Sequence, residues 1–282
     1  MERSQLLGAV VVFLILAGIF LVYGVNVSQK DLQSQNDTIF LSSPMSLSLG
    51  REYYLSTYNA TLNLFKECPY SNVYFVESDN LLASIAINYL GLSYPVYQNI
   101  ANNLTLSPYL VLLGIHNFSW NFRGVTMVKL YKNVYETSFI NSSNLEIAWY
   151  EYADLSFLYS IYLMENHYKN TTNVFATTMK DFWDGHGMVD EAFHGYYSSY
   201  KVALGIIAWK YMYNYNRSFA MGFLKDVESM YSIASHLQSP EGGFYTCYTY
   251  ENGIVIPYGN VNTETTSLFV IAFQMYPQVL KS

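Results

Sequence analysis

The longest run of hydrophobic positions comes first. Leu6 to Val25 reads LLGAVVVFLILAGIFLVYGV, twenty residues without a charge. As a helix it would be about 30 Å long, the thickness of a bilayer's hydrocarbon core, so it predicts a membrane anchor. A cleaved signal peptide is the competing expectation, but signal cores are usually about 7–15 residues, and no small-x-small site ends this run before Tyr23. Residues 26–50 are rich in Ser, Asn and Gln and hold no helical period, which predicts a tether. From Arg51 onward helical patterns of two kinds alternate. Leu81–Leu90, Leu155–Met164, Val202–Tyr213 and Leu268–Tyr276 are apolar nearly all round, as helices buried on every side must be. Arg217–Leu237 is amphipathic instead, with Phe219, Phe223, Val227, Met230, Ala234 and Leu237 near one face, and Asn170–Trp183 is a weaker case of the same kind.

Each apolar helix is expected to open on a polar or acidic group: Ser78–Asn80, Tyr152–Asp154, Ser198–Lys201 and Asn262–Ser267. Two of the preceding loops share a phrase, Gly187-Met-Val-Asp190 and Gly243-Phe-Tyr-Thr246. The spacing between copies is too irregular for a strict solenoid and fits two concentric layers of helices better. Val125–Ser138 alternates around a turn at Lys132–Asn133 and predicts one small β-hairpin inserted among the helices. The division expected is therefore an anchor at 1–25, a polar linker at 26–50 and a single all-α domain at 51–282.

Composition changes the picture in three ways. Charged residues are only 12% of the chain and the formal net charge is -7, which leaves no Lys/Arg surplus to displace counterions from phosphates and argues against nucleic-acid partners. Eight Asn-x-Ser/Thr sequons, at Asn26, Asn36, Asn59, Asn103, Asn117, Asn141, Asn170 and Asn216, follow the apolar run, the pattern of an exported glycoprotein with most of the chain outside the cell membrane. Cys68 and Cys247 are the only cysteines. Outside the cell they could pair, and the alternative is two unpaired, buried thiols.

The residues then reach a resemblance. The segment QSPEGGFYTCYTY (238–250) with NTETTSLFVIAFQ (262–274), and the segment WDGHGMVDEAFHGYYSSYKVALGIIAWKYM (183–212), resemble the loop and inner-helix units of α/α-toroid proteins. That group includes the six-hairpin glycosidases and, second, the terpenoid-cyclase and prenyltransferase toroids. The resemblance covers Trp149–Tyr276 and, faintly, Arg51–Gly91. It implies an α/α toroid, here small or incomplete, because about nine or ten helices are found where six hairpins need twelve. It also implies that a Cys68–Cys247 bridge would staple the first repeat to the last.

In such toroids the loops entering the inner helices meet at one rim. Here that rim would gather Glu77, Asp79, Glu151, Asp154, Asp184, Asp190, Glu191, Glu241 and Glu264. Paired carboxylates are what glycoside hydrolysis uses, one protonating the leaving oxygen while the other activates water or attacks the sugar carbon. Asp190 and Glu264 are the expected catalytic pair, with Asp154 and Asp79 in reserve, Asp79 also as a substrate contact. Trp183, Tyr196, Tyr197, Phe244 and Tyr245 are the expected stacking surfaces for sugar rings. Asp79, Asp154 and Glu264 also fit a plainer role, because an acid in the first turn of a helix satisfies orphan N–H groups and opposes the macrodipole. No metal site and no cofactor is expected: Asp184, His186, Asp190 and His194 match no standard zinc spacing, and no nucleotide fingerprint is present. Two function classes follow, a membrane-anchored carbohydrate-processing enzyme and a non-catalytic surface or sugar-binding module; a toroid handling isoprenoid or lipid is third.

Overall fold

A computed structural model of the chain describes residues 41, 43–75, 78–96, 107–115, 120, 125–131, 134–139 and 148–275. The expected anchor at 6–25, the larger part of the linker, Glu77 and the sequons at Asn26, Asn36, Asn103, Asn117 and Asn141 lie outside those residues. No described helix is long and apolar enough to cross a membrane.

The described chain is mostly helical. In order come α1 (Leu47–Thr57), α2 (Ser78–Tyr89), a 3-10 helix at Pro108–Leu113, α3 (Ala153–Glu165), α4 (Thr171–Phe182) and α5 (Ser199–Tyr215). The short α6 (Arg217–Ala220) runs through a 3-10 turn into α7 (Leu224–Ala234), and α8 (Thr263–Gln274) is last. The helix starts match the capping groups read from the sequence. Asn262 caps α8, its Oδ1 accepting the Thr265 N–H at 2.9 Å, and Asn216 caps α6 in the same way through Phe219. Ser46 caps α1, so the first described helix begins at Leu47, inside the expected linker. Its period is masked in sequence by the Ser and Gly that α1 contains.

Burial separates the helices as their patterns require. In α5 every residue from Lys201 to Lys210 is buried, and in α8 every residue from Thr265 to Phe273. In α7 only one face is buried, through Val227, Met230, Tyr231, Ile233 and Ala234. The more buried helices pack in the spatial order α2, α8, α5, α3, and the 3-10 helix Pro108–Leu113 touches both α3 and α2. Around them α4 packs on α3 and α5, and α6 and α7 pack on α5. On the other side α1 is fixed to α8 by two phenols, Tyr53 Oη to Thr263 Oγ1 at 3.1 Å and Tyr54 Oη to Ser267 Oγ at 2.7 Å.

Strand content exceeds the expectation of one hairpin. β1 (Tyr58–Asn59) pairs with β2 (Leu64–Phe65), and β3 (Tyr74–Phe75) lies parallel to β5 (Val134–Phe139), which pairs antiparallel with β4 (Val125–Tyr131). The last two strands are the expected hairpin; its turn, Lys132–Asn133, lies outside the described residues. The addition is a three-stranded sheet of β6 (Tyr197–Ser198), β7 (Phe244–Glu251) and β8 (Ile254–Asn262). Its hairpin turns on Asn252-Gly253, both at positive φ (51° and 83°), the two-residue turn that matches strand twist. Since β6 runs straight into α5 and β8 into α8, this sheet sets where both helices begin.

The Gln…Gly-Gly-Phe phrase proves to be a clasp. Gln238 Oε1 accepts the Ser46 N–H at 2.7 Å, and its Nε2 donates to Ser46 O and Gly242 O, both at 3.1 Å, tying the loop to the start of α1. A Cβ on Gly242 would stand 1.8 Å from Leu49 O, and one on Gly243 2.5 Å from the Tyr53 ring, so the loop can lie on α1 only without side chains there. Phe244, expected as a sugar platform, has no exposure and stacks on Phe269 at 4.4 Å; it is core. The expected Cys68–Cys247 bridge is also not formed. Cys68 is buried and Cys247 half-buried, both as free thiols. Hydrogen bonds join first and last segments instead: the Thr263 N–H donates to Glu67 O at 2.7 Å, and Thr263 Oγ1 donates to Lys66 O.

Candidate active site

Three acids that are distant in sequence converge because the helices that carry them begin together. Asp79, Asp154 and Glu264 occupy the first turns of α2, α3 and α8. Asp79 is buried at 5% exposure, whereas Asp154 and Glu264 are half-buried as residues, so the group is recessed. Each has a hydroxyl partner. Ser78 Oγ donates to Asp79 Oδ1 at 3.0 Å, Tyr109 Oη to Glu264 Oε1 at 3.0 Å and Tyr200 Oη to Asp154 Oδ2 at 3.2 Å.

The electrostatics make one coupled cluster. Burial, followed by the nearby carboxyls of Asp154 and Glu67, pushes Glu264 up to about 7, against the pull of the Tyr109 hydroxyl. Burial and then the Glu264 carboxyl hold Asp79 well above the usual carboxylate range. Asp154 is raised by burial as well, but the Lys201 ammonium opposes the shift, helped by the Leu155 amide and the Tyr200 hydroxyl. Burial also raises Glu67 and, together with the surrounding carboxylates, the phenols of Tyr109 and Tyr200, which therefore stay protonated donors. Burial thus raises all three carboxyls, and only Asp154 has a cation opposing the shift.

Asp190 stands beside this cluster in a different state. Lys201 Nζ contacts Asp190 Oδ1 at 2.8 Å and Oδ2 at 2.6 Å, with the two side chains 2% and 0% exposed. The Ala153 N–H donates to Oδ2 at 2.8 Å and the Ala192 N–H to Oδ1 at 3.1 Å. Both oxygens are thus occupied, and Asp190 serves as cap of α3 and tie between α3 and α5. Its carboxylate is therefore not free to face a substrate, whereas Asp154, one residue into the helix it caps, has Oδ1 without a hydrogen-bond partner.

The remaining expected residues have other work. Asp184 organises its own turn, accepting from the His186 and Gly187 N–H groups at 2.8 and 2.9 Å and from Tyr197 Oη at 2.7 Å. Gly187 is needed there, since a Cβ would stand 2.1 Å from the Tyr197 ring. Glu241 accepts the Tyr70 hydroxyl. Tyr196 is exposed and stacks on Tyr258 at 4.9 Å, while Trp183 and Tyr245 are half-buried. Asn170 and Asn216 are exposed and Asn59 half-buried. Among the described residues no group of three His, Cys, Asp or Glu is placed to hold a metal ion.

Sequence reasoning missed Tyr109, Tyr200, Lys201 and Glu67 as site residues. Tyr200-Lys201 did carry a signal, a polar pair opening a helix that is otherwise apolar. Tyr109 carried none, because only the packing of its 3-10 helix against α2 and α3 brings it to Glu264. Comparison with protein-family models, with curated proteins and with solved structures gives no match.

Proposed function

We propose that this chain is an exported, membrane-anchored glycoprotein whose helical domain is a small α/α toroid and cleaves glycosidic bonds with Glu264 and Asp154. The observation that carries the reading is the meeting of first-turn acids from three separate helices in one recessed cluster. Glu264, holding its proton to about pH 7, is the general acid for the leaving oxygen. Asp154, raised by burial but pulled back by the Lys201 ammonium and the Tyr200 hydroxyl, is the base or nucleophile. The Asp154 and Glu67 carboxyls help keep Glu264 protonated, and Glu264 in turn raises Asp79. Helices α2, α8, α5 and α3 are the inner layer of the toroid, and α1, α4, α6 and α7 the outer layer. The apolar run at 6–25 and the sequons support the anchor and the outer-surface address.

The test is turnover of a panel of oligosaccharides by the full-length protein, its Glu264→Gln variant and its Asp154→Asn variant. Each substitution is expected to lower kcat at least about 100-fold, the usual contribution of a positioned acid or base, with folding retained. Unchanged turnover in both would remove the assignment. A second reading, a toroid retained as a non-catalytic saccharide-binding module, is favoured by the count of eight α-helices among the described residues, short of the twelve in six hairpins. It predicts saccharide binding without products.

A further inference from the structure

The sheet of β6, β7 and β8 has one face that the fold covers and one that it leaves bare. Side chains alternate along a strand, so the pairing assigns each to a face. Tyr248 and Tyr250 of β7 belong to the inner face: Tyr248 is buried with its hydroxyl donating to His186 O at 2.7 Å, and Tyr250 stacks on the His186 ring at 3.9 Å. The outer face holds Cys247, Thr249 and Glu251 of β7, which pair with Tyr258, Ile256 and Ile254 of β8. Ser198 of β6 pairs with Cys247 from the other side, which puts Tyr196, two residues earlier, on the same face. There Ile254 is 61% exposed, Tyr258 55%, Tyr196 45% and Ile256 44%. Tyr196 and Tyr258 come from either side of β7 and their rings stack at 4.9 Å, so the pair closes over the middle strand, with Cys247 half-buried at the same level.

A solvent-facing sheet surface is ordinarily polar, and a bare face of isoleucine and tyrosine marks a contact with another molecule. Its charge and layout select which. Residues 244–262 include no Lys or Arg and a single carboxylate, Glu251, beside the hairpin turn. That is a poor match for a phosphate backbone or an anionic bilayer, and the carboxylate is costly to sink into hydrocarbon. Strand β8 is an edge of the sheet, but Pro257 and Gly259 interrupt it, Gly259 at φ 80°, which opposes lateral addition of another strand and leaves stacking through the face.

The face matches itself. A two-fold axis between two stacked sheets, crossing the strands at the level of Thr249 and Ile256, lays Ile256 on Ile256 of the second copy. It also lays each Tyr196–Tyr258 pair on the other copy's Ile254 end. Each Glu251 then faces phenol hydroxyls that can donate to it. The two Glu251 residues stand roughly 14 Å apart along the strands, outside a Debye length of about 8–10 Å. We propose that this face is the contact between two copies of the chain, a reversible two-fold dimer with the sheets stacked outer face to outer face. The dimer does not depend on the carbohydrate reading. Three strands over about seven residues cover roughly 24 by 14 Å, or ~350 Å² per copy, under half of the ~800 Å² that each partner gives a standard interface. Association is therefore weak and concentration-dependent.

The experiment is sedimentation velocity of the full-length protein in detergent from about 1 to 300 μM, the range of a small interface, beside its Ile256→Glu variant. Monomer is expected at the low end and dimer at the high end. Ile256→Glu sets two carboxylates face to face and should raise the dissociation constant at least about tenfold. A urea melt checks that the variant folds, and a second measurement does not rely on it. In a Cys247→Ser background, Ile256→Cys should link copy to copy when oxidised glutathione is added, whereas Ile254→Cys, at the end of the face, should not. Cys68 is buried and stays out of reach. Monomer throughout the range, equal association of parent and Ile256→Glu, or equal linking by the two cysteine variants overturns the proposal. Protection of Ile256→Cys from a water-soluble maleimide by phosphatidylcholine vesicles, without linking, would give the face to a bilayer and overturn it too.

Discussion

Asp190 and Glu264 are both acids at the mouth of a buried helix, yet their neighbours give them opposite tasks. Asp190 has a buried ammonium and two backbone N–H groups on its oxygens. Glu264 has one phenol and the carboxyls of Asp154 and Glu67 around it. Removing one member of a buried ion pair strands the other, which typically costs about 3–5 kcal/mol, whereas replacing both by apolar groups of similar size is often neutral. Asp190→Ala is therefore expected to destabilise by about that amount in urea denaturation, and Asp190→Leu with Lys201→Met to recover most of it. If Asp190→Ala unfolds at the same urea concentration as the parent, the pair has no structural role. Phe244 teaches a related point: an aromatic in a Gly-Gly-Phe loop reads equally as sugar platform or core, and only its stacking on Phe269 decides.

Among elements, the helices were the most legible because their burial is written in their period. The starts of α2, α3, α5 and α8 fall where capping groups stand, and the two-faced pattern of 217–237 became α6 and α7. The β7–β8 hairpin was legible too, through Asn252-Gly253 between β-branched residues, but the glycine-rich phrase before it drew the reading towards a loop. That phrase holds α1 against the remainder of the fold. A methyl group on Gly243 would have to displace the Tyr53 ring, itself fully buried and bonded to Thr263. Gly243→Ala is expected to cost about 1–3 kcal/mol by overpacking. Gln238→Ala should cost about as much by leaving Ser46 and Gly242 groups unpaired. Denaturant melts check both, and neutrality in either would mean that α1 is held by other contacts.

At the scale of the molecule, buried ionisable groups set how stability varies with pH. Glu264 rises from 4.5 to about 7 on folding, so between those values the folded chain holds a proton that the unfolded chain has lost, and stability falls as pH rises. Asp79 and Asp154 are shifted in the same direction and add to that slope. Lys210 acts oppositely. It is wholly buried in α5, its Nζ donating to Met275 O at 3.0 Å, and desolvation lowers it from 10.5 to about 7. Between those values the unfolded chain is the one holding the extra proton, so stability climbs with pH. Chemical denaturation from pH 4 to 10 should thus show a minimum near neutrality. Glu264→Gln should flatten the acidic arm and Lys210→Met the basic arm. A single maximum near pH 7 in the parent protein would contradict both assignments.

By itself the sequence determined the local features: which segments are helical, which of them are the more buried, and where each begins. These follow from period, capping chemistry and composition, which are properties of neighbouring residues. Only the tertiary structure decided which acids share a site. Asp79, Asp154 and Glu264 lie far apart in sequence, and their shifted protonation arises from desolvation and from one another's charge. Asp190, expected beside Glu264, is instead held in an ion pair with Lys201 that the folded chain alone brings together. Local pattern fixes elements because backbone geometry is local; a carboxyl's charge depends on everything within a few ångströms, and that is settled by the fold.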